Sequence, residues 1–75
     1  MDYQEKIEQI NLALRVRGKK VKFILEPYNK DYLQVMVRGY DIITDTINDN
    51  IKIDIFCDNQ QLDMFLFGLE LWFKY

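Results

Sequence analysis

The chain has 75 residues, 49% of them apolar, with 10 basic against 12 acidic side chains, a formal net charge of −2 and no histidine. That length reads as one domain, 1–75, near the lower limit for folding unaided, because a chain this short buries only about 60% of its unfolded surface. With Cys57 as its only cysteine and no histidine, neither an internal disulfide nor a common tetrahedral zinc site can add support, which leaves oligomerisation.

In chain order, Tyr3, Ile7, Ile10 and Leu14 recur on one side at helical spacing, so residues 3–17 are expected as an amphipathic helix stopped by Gly18. Val21, Phe23 and Leu25 alternate with Lys22, Ile24 and Glu26, which predicts a first strand ending at Pro27. Residues 27–31 then turn the chain into a second strand over 32–38, paired as an antiparallel hairpin and broken or bulged at Gly39. Residues 40–47 fit either a third strand or a strand continued past that bulge. Asn48, Asp49 and Asn50 carry the strongest turn signal in the chain. Ile51, Ile53, Ile55 and Cys57 alternate as a final strand. Asp58 stands at a helix N-cap position with Gln61 as its capping-box partner, and the second helix runs from Asn59 to near Tyr75. The expected fold is α+β, a two-layer α-β-β-β-(β)-α arrangement with an antiparallel three- to four-stranded meander and both helices on one face.

The last helix is too apolar to cover one face only. Leu62, Phe65, Leu66, Leu69, Trp72 and Phe73 form one stripe, and Met64, Phe67, Leu71 and Tyr75 form a second on nearly the opposite side. A helix apolar on two sides must be covered on two sides. The second stripe is therefore expected to meet a partner, first of all a copy of the chain in a homodimer. The competing explanation is that Met64, Phe67 and Leu71 pack on Ile10 and Leu14. Gly68 would allow close approach of another backbone, and Trp72 and Tyr75 are the anchor residues expected at the rim.

Charge is uneven along the chain. Arg15, Arg17, Lys19, Lys20 and Lys22 fall within one short segment, and Asp41, Asp45, Asp49, Asp54, Asp58 and Asp63 follow, relieved only by Lys52. The basic segment is a candidate phosphate-binding edge, or else complements a helix end and keeps a strand soluble. Asp41, Asp45, Asp49 and Asp54 are a candidate acidic face, or else mark turns and a solvated strand edge. Asp49 and Asp58 are accounted for by turn and cap. The stretch 45–54 lacks the glycine of a calcium loop and sets Ile47, Ile51 and Ile53 where oxygens are needed. With neither serine nor histidine in the chain and Cys57 at a core position, nucleophilic catalysis has no basis, and neither an enzyme nor a cofactor is expected. Tyr28, Tyr32 and Tyr40 are expected as packing or protein-contact residues, since Arg38 is the main cation among them.

The order of an amphipathic helix, Gly18, Lys19 and Lys20 leading into a strand, turns marked by Asn and Asp, and an aromatic helix around Phe65, Phe67 and Trp72 resembles small acidic phage inhibitors of the anti-CRISPR kind in layout. The resemblance implies a protein that blocks a nuclease's DNA-binding cleft with clustered carboxylates, casting Asp41, Asp45, Asp49 and Asp54 in that role. The basic segment is a departure from that pattern. The expectation is a non-enzymatic protein-binding module that self-associates through its last helix and occupies a partner's surface, as a phage or mobile-element inhibitor of a bacterial defence or nucleic-acid enzyme would. A nucleic-acid-binding domain using the basic segment, and a structural or assembly subunit, are the alternatives. Without a membrane-length apolar run or a leader-like start, the chain is expected in the cytoplasm of a bacterium or a phage-infected cell.

Overall fold

The computed structural model describes residues 2–74, with side chains described as far as residue 72. Its elements follow the order α1 (Tyr3–Val16), β1 (Val21–Pro27), β2 (Leu33–Asp41), β3 (Thr46–Cys57) and α2 (Asn59–Lys74). The strands form an antiparallel meander with β2 in the centre. Tyr75 and its expected place in the second stripe lie outside the described residues.

Each helix end is fixed by local hydrogen bonds. Asp2 caps α1 by accepting from the Gln4 N–H at 3.1 Å. At the other end Gly18 takes a φ of 71°, and the Gly18 and Lys19 amides close back on the Arg15 and Leu14 carbonyls at 3.0 and 2.9 Å. That is a Schellman ending, which requires a left-handed residue after the cap. Asp58 and Gln61 form the expected capping box: the Gln61 N–H donates to the Asp58 carboxylate at 2.8 Å and the Asp58 N–H to the Gln61 side-chain oxygen at 3.0 Å.

Alternation along the strands sends odd positions of β1, β2 and the second half of β3 towards the helices. Leu25, Val35 and Cys57 meet Ile7, Ile10 and Leu14 from α1 and Leu62 and Leu66 from α2 in one core, so both helices cover the same face. Phe23 and Phe65 join its flank edge to face, with ring centroids 6.0 Å apart. Even positions make the uncovered face, where cross-strand neighbours run Lys22, Arg38, Lys52 in one row and Ile24, Met36, Asp54 in the next.

Two sequence expectations need correction. Residues 48–50 do not reverse the chain; they lie inside β3, where the register jumps from Arg38 opposite Lys52 to Gly39 opposite Asn48. The Asn and Asp chemistry there builds a bulge, with the Asn48 side chain accepting from the Asn50 N–H at 3.1 Å. A Cβ at Gly39 would collide with the Asn48 side chain and push it off the Asn50 amide it accepts from. The reversal falls instead at residues 42–45. Asp41 accepts from the Ile43 and Thr44 amides, and Asp45 takes a positive φ of 55° while receiving the Tyr40 hydroxyl. β2 runs on past Gly39 through Asp41, and Tyr32 belongs to the hairpin loop, where the Tyr28 N–H donates to its carbonyl.

Candidate functional site

The two stripes of α2 meet different surroundings. Leu62 and Leu66 are fully buried, and Phe65 and Leu69 pack against the core from its margin. On the far side Met64 is 70% exposed, Phe67 62% and Leu71 42%. They do not pack beneath Ile10 and Leu14, both of which are buried within the core. Gly68 lies among them at the surface, where a side chain would meet no neighbouring atom.

Trp72 follows the first stripe in sequence yet is 61% exposed. The indole borders a largely apolar groove with Leu14, Lys19, Val21, Phe23 and Leu69. The exposed stripe and this groove adjoin along α2, giving large apolar side chains with few charges between them. Surfaces of that kind mark contact sites more often than solvent-facing ones.

The acidic candidates do not act as one group. Asp41 and Asp45 hold the 42–45 turn together, Asp49 sits in the β3 bulge, and Asp54 pairs with Arg38 at 2.9 Å on the uncovered sheet face. Among the described residues no cluster of acidic or cysteine side chains could hold a metal ion.

The basic candidates are only partly gathered. Arg15, Lys19 and Lys22 share a shallow cleft with Glu8 and Asp45, so both signs line it. Lys22 also lies 5.3 Å from the centre of the Tyr40 ring, a cation–π contact. Arg17 caps α1, and Lys20 leads into β1, its carbonyl accepting from the Tyr40 N–H. Sequence reading missed that Lys22, Arg38 and Lys52 stand side by side across the sheet. The register that aligns them depends on the bulge, and no local pattern announces it.

Sequence reading also missed the role of α1's polar flank. The Asn11 side chain donates to the Phe23 carbonyl and accepts from the Phe23 N–H, both at 2.8 Å, while Gln4 donates to the Leu25 carbonyl at 2.9 Å. These amides occupy the outer edge of β1 much as a neighbouring strand would. Cys57 is buried at the end of β3, and burial followed by the nearby Asp58 charge raises its thiol pKa above the ordinary value. That keeps it a weak nucleophile.

No helix among the described residues is long and apolar enough to cross a membrane. Comparison with known proteins finds no matching family, no matching curated protein and no matching solved structure.

Proposed function

We propose that this chain is a non-enzymatic protein-binding module that acts by laying the outer face of α2 on the surface of another protein. The observation that carries the reading is the exposure of Met64, Phe67, Leu71 and Trp72 on a helix whose opposite side already fills the core. Burying these four side chains is worth about 1.5–3 kcal/mol each, a gross gain of roughly 6–12 kcal/mol before the cost of association.

The resemblance in element order to small phage inhibitors makes a bacterial defence or nucleic-acid enzyme the class of partner to test first. In this reading contact rests on α2 rather than on mimicry by carboxylates, since Asp41, Asp45 and Asp54 are engaged in contacts within the fold. A nucleic-acid partner is the weaker reading: Asp54 and Glu26 share the sheet face with Lys22, Arg38 and Lys52, and the chain carries a net charge of −2.

The test is affinity capture from bacterial lysate with wild type and a Met64→Asp/Leu71→Asp double variant. Both substituted positions are exposed, so the variant should fold, as circular dichroism would check. Wild type is expected to retain a protein that the variant loses. Equal capture by the two would remove α2 from the contact.

A further inference from the structure

The two sheet edges are treated differently. Asn11 and Gln4 occupy the outer edge of β1, whereas β3 has no neighbouring strand beyond it among the described residues. The direction of its main-chain groups follows from the ladder. Phe23 and Leu25 bond outward to α1 side chains, and the Tyr40 N–H and Tyr28 N–H bond inward to the Lys20 and Tyr32 carbonyls. Successive residues of an antiparallel strand address opposite sides. Leu33, Val35 and Val37 of β2 therefore address β3, their partners Cys57, Ile55 and Ile53 answer, and Lys52, Asp54 and Phe56 turn their amides and carbonyls outward. Ile53 beside them is 52% exposed on the helix side of the sheet, and Ile51 37%.

We propose that this edge pairs with the β3 edge of a second copy of the chain, antiparallel and centred on Ile53, so that two sheets become one. Outward-facing amides must meet outward-facing amides, which restricts a symmetric pairing to registers that set even positions against even positions. Centring on Lys52 sets that lysine against its own copy, and centring on Asp54 does the same with two carboxylates. Centring on Ile53 sets Lys52 against the second copy's Asp54 twice over, on the same sheet face. Ile53 then meets Ile53, and Ile51 meets Ile55, on the other face.

The paired stretch forms about four main-chain hydrogen bonds between the Lys52 and Asp54 positions. It also brings a carboxylate beside the row Lys22, Arg38, Lys52, where like charges otherwise stand directly opposite one another. The symmetry is isologous, so the assembly closes at two copies. None of the α2 face residues takes part, so this inference goes beyond the partner contact proposed above and stands or falls separately.

Charge reversal gives a test in which protomer and dimer respond in opposite directions. Lys52→Glu places a carboxylate opposite Arg38, which suits the single chain, but in the dimer it opposes the second copy's Asp54. Asp54→Lys sets lysine against lysine in the dimer and also removes the ion pair with Arg38 within the protomer, so Lys52→Glu is the variant in which the two responses are opposed. By light scattering at matched concentration, wild type is expected at twice the protomer mass and each variant alone at the protomer mass. An equimolar mixture of the two variants should recover the doubled mass, because the introduced glutamate of one then faces the introduced lysine of the other, and the native Asp54 and Lys52 that remain face each other. The Met64→Asp/Leu71→Asp variant should stay dimeric.

A monomeric wild type, or a Lys52→Glu variant that remains dimeric, would overturn the pairing. So would loss of the dimer in the α2 variant alone, which would seat the second copy on the helix. Hydrogen exchange supplies a second readout: Lys52 and Asp54 amides should slow as wild-type concentration rises, and unchanged rates in a dimer would also rule out this edge.

Discussion

Cys57 ends β3 with its side chain 5% exposed, next to the Asp58 that caps α2. Ionising its thiol would place a charge in the core beside a carboxylate, so the folded chain holds the proton more tightly than the unfolded one. A group whose pKa rises on folding contributes stability that is whole below its unfolded pKa, about 8.5 for a thiol, and is lost as pH climbs through the folded value. Tyr3 shifts in the same direction, chiefly because of the Asp63 carboxylate near its hydroxyl, and would respond at more alkaline pH. Stability measured by urea denaturation should therefore be level near neutrality and fall above about pH 8.5. Cys57→Ala should start lower, for want of the buried sulfur, and decline less steeply between about pH 8.5 and 10. Parallel declines would clear the thiol of any part in the effect. Alkylation of native Cys57 by iodoacetamide should be slow at neutral pH for the same reason.

At the scale of elements, α1 does more than cover a sheet face. Its Asn11 mimics the pairing of an extra strand, offering one donor and one acceptor to Phe23, and thereby closes an edge open to aggregation. Asn11→Ala is expected to cost about 1–2 kcal/mol for the two hydrogen bonds. In a domain of this size that lowers the unfolding midpoint by roughly 4–16 °C. An unchanged midpoint would show that water replaces the amide at no cost. This contact was not legible in the sequence, because an asparagine on a helix flank has no periodic signature. The elements themselves were legible where one local signal dominated: apolar spacing in α1, alternation in β1, and the Asp58 and Gln61 box before α2. The 48–50 turn was misplaced because Asn and Asp suit a bulge as well as a reversal, and only the pairing of Gly39 with Asn48 distinguishes them. The exposed side of α2 was legible from its two stripes, yet the exposure of Trp72 was not, since its spacing places it with the buried stripe.

The whole molecule is a thin slab, 36 × 28 × 17 Å, with one sheet face and the outside of α2 left uncovered. Its accessible surface of 5555 Å² exceeds the roughly 4,900 Å² that size scaling gives a compact monomer of 9.1 kDa. A two-layer chain with a single sheet and two helices has no third layer to reduce that excess, so association is the physical route to higher stability. If β3 pairs with its copy, folding and dimerisation are linked by mass action, and the unfolding midpoint must rise with protein concentration. Each tenfold increase contributes about 0.7 kcal/mol per protomer, a rise of roughly 3–6 °C. Differential scanning calorimetry over a hundredfold range of concentration should show that rise in wild type and in the Met64→Asp/Leu71→Asp variant, and a constant midpoint in Lys52→Glu. A wild-type midpoint that stays fixed across the range would mean that the slab is stable alone and that its open edge is tolerated rather than used.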